Sequence, residues 1–248
     1  MANGPVNTRE RLLDVAGKLF ADKGFAEATV AEICRGAEAN IAAVNYHFGS
    51  KENLYQEAWR HAHGKALRLS PPDGGVAASA PAADRLRGRI RGILQRAMAA
   101  EGVEFRIMGQ EMAKPTGLLA KIVEEAIRPM RQATERIVIE LLGGAKEPGE
   151  AAGGAIDPQV LRLCEISIIA PCMMIVRRRH FHGRGAKGGN GNGGMGPEFT
   201  PDMLEGMVEH FTSFALAGVA AVKERMKAGS DVSDLKSEIG SEAAAGDL

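Results

Sequence analysis

The chain has 248 residues, which is enough for one large domain or for a small domain followed by a larger one. Its 31 basic and 31 acidic side chains cancel, so any attraction for nucleic acid must come from a local surface. No segment reaches about 18 uninterrupted apolar residues and the three cysteines show no disulfide spacing, so we predict a cytoplasmic protein without a membrane span.

The N-terminal part of the chain contains helical patterns over residues 8–24, 29–36, 41–48 and 50–67. Thr8 is the expected N-cap of the first helix. Thr29 and Glu32 have the spacing of a capping box, and Ser50 is the expected cap of the fourth helix. Two short helices joined by a tight turn, 37–40, and braced by a longer helix predict a helix-turn-helix.

The third helix, residues 41–48, has the composition of a surface that approaches DNA. No acidic residue occurs from Ala39 to Lys51, although charges balance over the whole chain. The second helix of a helix-turn-helix places its N-terminal residues against base edges in the major groove. Small or apolar residues there, such as Ile41 and Ala42, allow a close approach and contact with a thymine methyl. We therefore predict that this helix contacts bases.

Polar side chains around the third helix supply further contacts. Asn45 has the paired donor and acceptor that suit adenine, and Tyr46 and His47 can hydrogen-bond to bases or phosphates. Thr29 and Lys51 stand at the starts of the neighbouring helices, where they can reach phosphates. The alternative is that Tyr46 and His47 only pack against the fourth helix.

The rest of the chain is also predicted to be helical. After a Pro- and Gly-rich connection, helical patterns cover residues 84–100, 104–114, 115–127, 130–142, 158–180 and 201–227. Pro129 is expected to kink or break the helix in which it lies, and Pro171 falls inside a strongly apolar helix. No stretch shows convincing alternation with a period of two residues, so the predicted fold class is all-α.

We expect two domains from this pattern. Residues 1–68 form a three-helix helix-turn-helix DNA-binding domain, and residues 84–228 form a larger helical domain. The Gly-rich segment 183–198 is predicted to be a disordered loop. The tail 229–248 has five acidic residues and one lysine without an apolar face, and it is predicted to be disordered as well.

Residues 8–55 resemble the DNA-binding domain of TetR-family transcriptional regulators. The resemblance is carried by LFADKGF at 19–25, TVAEI at 29–33, YHF at 46–48 and SKENL at 50–54. It implies DNA contacts at Thr29, Ala39, Asn40, Ala42, Asn45, Tyr46, His47 and Lys51, to which position on the helix adds Ile41. Ile41 and Asn45 depart from the commoner pattern of a Lys or polar residue and a Tyr, which affects base preference rather than binding itself.

Segments 105–142 and 210–219 resemble the C-terminal domain of the CecR-like subgroup of that family. The resemblance implies an effector pocket and a homodimer whose interface is built by helices 158–180 and 201–226. The two DNA-binding domains of the dimer, about 34 Å apart, then bind a pseudo-palindromic operator in double-stranded DNA. Packing of the two helices within one chain only is the alternative.

A small-molecule effector of unknown identity is the partner expected for the second domain. Adaptable apolar side chains make up the predicted pocket: Phe105, Met108, Met112, Met130, Met173 and Met174. Methionines at helical spacing also suit an ordinary core. The chain is accordingly expected to be a repressor released from DNA by its effector. The alternative is an architectural or division-linked DNA-binding protein that has no small-molecule effector.

An enzyme is the least supported class. No nucleophile with a neighbouring base is apparent, and the Gly-rich segment lacks the Gly-Lys-Ser/Thr ending of a phosphate loop. The pairs His61/His63 and His180/His182 are two residues apart, so on a helix they point to different faces and need a partner elsewhere to bind a metal. We predict no catalysis, no metal and no cofactor.

Overall fold

The computed structural model describes residues 7–99, 101–144, 156–181 and 200–228. Within these ranges the chain forms nine α-helices and a short 3₁₀ turn at Pro201–Met203, and no β-strand. The helices are α1 (Thr8–Glu27), α2 (Val30–Gly36), α3 (Ile41–Phe48), α4 (Lys51–Leu69), α5 (Ala82–Met98), α6 (Val103–Ala113), α7 (Ala120–Leu142), α8 (Pro158–Phe181) and α9 (Leu204–Lys227). The predicted all-α class is confirmed, whereas the segments 183–198 and 229–248 lie outside the described residues.

Local side-chain caps fix where the first helices begin. The Thr29–Glu32 capping box is present, with the Thr29 hydroxyl accepting from the Glu32 N–H at 3.2 Å and the Glu32 carboxylate accepting from the Thr29 N–H at 3.1 Å. Ser50 caps α4 by accepting from the Asn53 N–H at 3.2 Å, as predicted. The cap of α1 is Asn7 and not Thr8, because the Asn7 side chain accepts from the Arg9 N–H at 3.1 Å.

The head, defined as α1–α4, closes around one apolar core. Leu12 and Phe20 of α1, Ile33 of α2 and Leu54 of α4 are fully buried in it. Helix α3 is attached to the core of the head by its inward-facing residues Val44 and Phe48. These residues are 1% and 6% exposed, as the sequence pattern predicts. This attachment leaves the opposite side of α3 on the surface.

Helix α6 of the second domain completes the core of the head. Ile107 of α6 and Ile122 of α7 belong to the same buried cluster as the head residues. The Tyr55 hydroxyl of α4 donates to the Glu111 carboxylate of α6 at 3.0 Å, and the Gln110 amide donates to the Ala21 carbonyl of α1 at 3.3 Å. The head is therefore held directly by the domain that follows it.

In the second domain, α5 packs against α7, α8 and α9. Leu86, Ile90 and Leu94 of α5 are fully buried in this second core, together with Val138 of α7 and Cys172 of α8. The amphipathic pattern predicted for 84–100 thus faces the domain interior. The packing places α5 at the centre of the domain.

The break expected at Pro129 is absent, because α7 runs as one helix through it. Proline removes one backbone hydrogen bond inside a helix, at a cost of about 3 kcal/mol. Both halves of α7 are anchored, Ile122 in the head core and Val138 in the second core, which offsets this cost. The segment 115–119 forms a turn instead of the predicted helix start, because the Glu111 carboxylate accepts from the N–H groups of Thr116 and Gly117 at 2.9 Å each.

Helix α8 is apolar on two faces. Over Pro158–Arg177 it is long and apolar enough to cross a membrane by length and composition alone, with a mean hydropathy of 1.7, and 33% of this stretch is buried. One face, with Cys164 and Ile168, lies in the domain core, whereas Leu163 on the other is 50% exposed. Helix α8 therefore presents apolar side chains both to the domain core and to the surface.

Candidate DNA-binding surface and ligand cavity

The outer face of α3 carries side chains that the fold does not use. Tyr46 is 85% exposed and Ile41 is 55% exposed, and Asn45 also lies on the surface. The Tyr46 ring packs against the neighbouring His47 ring at 5.0 Å between centroids, and His47 itself is half-buried. With this exposure, the alternative that Tyr46 only packs against α4 does not hold.

Residues flanking α3 extend this outward surface. Asn40 caps α3 by accepting from the Ala43 N–H at 2.8 Å, and Ala42 is exposed beside it. Ala39 is half-buried against the head core, so it fixes the turn before α3. The ammonium of Lys51 lies 4.5 Å from the centre of the Phe25 ring, which orients it at the start of α4.

Thr29 is exposed at the N-terminus of α2, where the unpaired N–H groups of a helix favour a phosphate. The nearby Glu32 carboxylate accepts from the Lys23 ammonium at 2.6 Å. This hydrogen bond and those from Thr29 lower the pKa of Glu32 to about 2. Lys23 thus compensates the negative charge of Glu32 at the start of α2, a contact that the sequence pattern did not reveal.

A cavity of about 570 Å³ lies between α4 of the head and α5, α6, α7 and α8 of the second domain. Five of the six side chains predicted for an effector pocket line it: Phe105, Met108, Met112, Met130 and Met173. The sixth, Met174, is outside the lining and is 53% exposed on the outer face of α8. The volume falls in the range of ligand sites for drug-sized molecules, about 300–1,000 Å³.

One part of the cavity wall is polar. The rings of Trp59 and His63, one turn apart on α4, stack with centroids 4.8 Å apart. The His63 ring makes a short hydrogen bond to the Glu104 carboxylate of α6. The Glu104 carboxylate also lies 3.6 Å from the guanidinium of Arg96, and that guanidinium donates to the Ser70 carbonyl at 3.1 Å. These contacts tie α4, α5 and α6 together at the cavity.

Arg89 of α5 is a buried cation in the same wall, 7% exposed. Its guanidinium donates to the Thr134 hydroxyl and the Met130 carbonyl, each at 2.7 Å, and more distantly to the Pro72 carbonyl at 3.5 Å. In the described part of the chain, no carboxylate lies within ion-pair distance of it. Burial, with the like charge of Arg96, lowers the pKa of Arg89 to about 10.

Sequence reasoning missed this polar wall. Arg89 and Arg96 are seven residues apart on α5, at the same helical spacing as Leu86 and Ile93. Two arginines on an otherwise apolar stripe are a signal that was available from the pattern, because charged residues are almost never fully buried without a partner. The partners themselves come from other helices and cannot be read from the sequence.

The histidine pair His61/His63 does not converge on one site. His61 lies 3.1 Å from the Asp14 carboxylate, whereas His63 contacts Glu104. Among the residues whose side chains are described, no group of three or more His, Cys, Asp or Glu is arranged to hold a metal ion. The side chains of His180 and His182 are not among them.

The outer faces of α8 and α9 expose large apolar side chains. Leu163 and Met174 of α8 are 50% and 53% exposed, and Phe214 of α9 is 69% exposed. Beside Phe214, a Cβ added at Gly218 would meet nothing within 4 Å. We call these residues the α8/α9 outer face.

Comparison with known sequences agrees with this architecture. The family described as "Bacterial regulatory proteins, tetR family" matches residues 12–58, and that described as "HTH-type transcriptional dual regulator CecR, C-terminal domain" matches residues 82–219. The HTH-type transcriptional regulator AcrR of Shigella flexneri is 36% identical over 52 residues, or 21% of this chain and 24% of AcrR. The HTH-type transcriptional repressor AcnR of Corynebacterium glutamicum is 37% identical over 51 residues, or 21% of this chain and 27% of AcnR. The chain therefore matches about a quarter of the length of these curated relatives.

Solved structures share the fold over nearly the whole described chain. A TetR-like transcriptional regulator from Rhodococcus sp. RHA1 superimposes with a TM-score of 0.60 at 15% identity, covering 88% of this chain and 99% of that one. At this identity the likeness concerns the fold alone. It includes both the head and the helices that surround the cavity.

Proposed function

This chain belongs to the TetR family of bacterial transcriptional regulators, with a CecR-type C-terminal domain, and from that premise we propose a homodimeric repressor released from its operator by a small molecule. The observation that carries the proposal is the cavity of about 570 Å³ whose walls include α4 and α6, the helices that hold the head. The operator is a pseudo-palindrome, because two identical heads related by a two-fold axis require two related half-sites.

The proposed contact surface for DNA is the outer face of α3 with its flanking residues. Asn45 and Ile41 approach base edges, while Tyr46 and His47 contact bases or phosphates. Thr29 and Lys51 bind the backbone on either side, and Asn40, Ala39 and Ala42 shape the entry to the groove. In support, Tyr46 is 85% exposed and stabilises no core.

The link between cavity and head runs through α6. Its residues Phe105, Met108 and Met112 line the cavity, while Gln110 and Glu111 of the same helix bond to the head. A ligand that wedges against these side chains shifts α6, and with it α1 and α4. Binding then favours a spacing of the two heads that does not fit the operator.

The homodimer is proposed to form through the α8/α9 outer face. Leu163, Met174 and Phe214 are large apolar side chains that one chain leaves in contact with water. Obligate interfaces resemble a protein core cut in half, and a four-helix contact of two α8/α9 pairs covers such a face. Packing within one chain accounts only for the buried side of each helix.

An architectural protein without an effector is the alternative, and the cavity disfavours it. Protein interiors leave few voids larger than a water molecule, and a helical domain that binds no ligand gains nothing from a large one. Binding across the genome separates the two: an effector-controlled repressor occupies one or a few operators near promoters, whereas an architectural protein occupies many dispersed sites.

The test begins with selection of the operator from random double-stranded DNA by the purified full-length protein. Compounds are then screened by thermal shift, and hits are tested for release of the selected operator in a mobility-shift assay. We expect one pseudo-palindromic consensus and release by compounds that raise the melting temperature. Dispersed selection without a consensus, or the absence of any releasing compound in a broad screen, would contradict the proposal.

A cavity-blocking variant provides the control. Ile127 is half-buried and lines the cavity, so Ile127→Trp fills part of the space without touching α3. We expect the variant to bind the operator like the wild type and to lose release by the compound. Release that persists unchanged in Ile127→Trp would show that the compound acts elsewhere.

A further inference from the structure

We propose that the cavity takes an apolar molecule that carries an anionic group, and that Arg89 binds the anion. This inference depends on the effector site of the proposed function and specifies the chemical class of its ligand. It excludes neutral and cationic apolar compounds as preferred ligands.

The first support is that, in the part of the chain that the structure describes, no carboxylate contacts the guanidinium of Arg89 in an ion pair. The side chain is 7% exposed and its hydrogen bonds go to neutral oxygens, of Thr134, Met130 and Pro72. A guanidinium has five N–H donors, so two of them remain. A buried charge is costly unless an opposite charge compensates it, and within the described residues no carboxylate pairs with this one.

The second support is the balance of charge around the cavity. Its lining contains four arginines and two glutamates, which leaves two positive charges in excess when His63 is neutral. Glu104 lies 3.6 Å from Arg96, and Glu165 pairs with Arg131 at 3.0 Å and with Arg162 at 3.2 Å. Glu165 and Asp73 act on Arg89 only as charges beyond ion-pair distance, so neither carboxylate of the lining is in contact with it.

The third support is an unsatisfied ring N–H in the same wall. The indole N–H of Trp59 is buried and has no hydrogen-bond partner among the described residues. Trp59 lines the cavity. Buried donors of this kind are nearly always paired in native structures, and an oxygen of a bound anion is an acceptor that suits this one.

The remaining wall determines the rest of the ligand. Phe105, Met108, Ile127 and Ile169 surround space that offers hardly any polar contact. An anionic group next to Arg89 therefore has to be attached to a sizeable apolar body, such as a hydrocarbon chain or fused rings. Inorganic anions alone would leave this surface uncovered.

A matched pair of fluorescent dyes tests the inference on the full-length protein. The sulfonate 8-anilinonaphthalene-1-sulfonate and the neutral N-phenyl-1-naphthylamine share one apolar skeleton and differ in the anionic group. We expect the wild type to bind the sulfonate at least about tenfold more tightly than the neutral dye. Quenching of Trp59, the single tryptophan of the chain, reports binding at the cavity.

Variants on one helix assign the preference to Arg89. In Arg89→Gln we expect the sulfonate to lose about tenfold in affinity while the neutral dye is unaffected. Arg89→Lys retains the charge and should keep part of the preference. The matched control is Arg87→Gln, which removes an arginine of α5 that pairs on the surface with Glu209 at 2.9 Å, and it should change neither affinity.

Equal affinity of the wild-type protein for both dyes would overturn the inference, even if Arg89→Gln failed to fold. A preference that persists in folded Arg89→Gln would overturn it too. Either result leaves operator binding and the Ile127→Trp experiment untouched, so failure of the ligand class is distinguishable from failure of the proposed function.

Discussion

Substitutions of Tyr46 and Lys51 test the proposed DNA-binding surface most directly. Tyr46 is 85% exposed, so Tyr46→Ala should change the free energy of unfolding by no more than about 0.5 kcal/mol. We expect Tyr46→Ala and Lys51→Ala each to lower operator affinity at least about tenfold, through loss of base or phosphate contacts. A mobility-shift titration measures the affinity, and circular dichroism confirms the helical fold.

Lys121→Ala is the matched control for this pair. Lys121 lies on α7 and its side chain is 88% exposed, so its loss removes one positive charge at a distance from α3. Operator binding by this variant should equal that of the wild type. If both Tyr46→Ala and Lys51→Ala also bind like the wild type, α3 is not the reading helix.

The local structure of the surface proposed for DNA binding was predictable from the sequence, because each of its signals spans only a few residues. These signals are the cap of α2 at Thr29, the inward pair Val44 and Phe48, and the absence of acidic residues around α3. Arg89 was not predicted, because its burial and its neutral partners depend on the packing of α5 against α7.

At the level of single helices, the contribution of the α2 capping box to the stability of the fold depends on pH. Hydrogen bonds from Lys23 and Thr29 lower the pKa of Glu32 to about 2, below the ordinary value of 4.5. A lowered pKa means that the ionised carboxylate stabilises the fold fully above pH 4.5, and that this contribution disappears as the pH falls toward 2. Glu32→Gln should therefore be less stable than the wild type at pH 7, with a difference that shrinks below pH 4.5.

Chemical denaturation at several pH values measures this difference. Glu135→Gln, at an exposed position of α7, is the control, and we expect its stability to follow that of the wild type. A difference between Glu32→Gln and the wild type that stays constant from pH 7 to pH 3 would show that the carboxylate charge has no part in capping α2.

The sequence predicted the starts of α2 and α4 correctly, but not the continuity of α7 through Pro129. Thr29 and Ser50 cap their helices as predicted, because a cap is a contact between residues three apart. Of the kink or break predicted at Pro129, the break was wrong, because burial of Ile122 and Val138 in two different cores keeps α7 one continuous helix. That burial is decided by tertiary packing and has no local signal.

For the whole molecule, the sequence predicted a head followed by a larger helical domain but not the joint between them. Ile107 of α6 completes the core of the head, and Glu111 bonds to Tyr55. The apolar pattern predicted five of the side chains around the cavity, four methionines and Phe105, and missed that Met174 faces outward. Helical periodicity defines a face of a helix, whereas the partner of that face depends on how the helices assemble.

The α8/α9 outer face is the proposed interface of the homodimer. Leu163 and Phe214 are 50% and 69% exposed, and neither lines the cavity. A carboxylate placed in a dimer interface is buried without a partner, at a cost of several kcal/mol. We expect Leu163→Asp with Phe214→Asp to give a folded monomer by size-exclusion chromatography with light scattering. Because a single head binds only one half-site, the variant should form no operator complex at concentrations that saturate the wild type.

Leu69→Asp separates loss of an interface from a general effect of added charge. Leu69 ends α4 and is 79% exposed, so the same change from leucine to aspartate is made away from α8 and α9. This variant should remain a dimer and bind the operator. If the doubly substituted variant keeps the mass of the wild-type dimer, the α8/α9 outer face is not the interface, and the spacing of the heads must be controlled by another contact between the subunits.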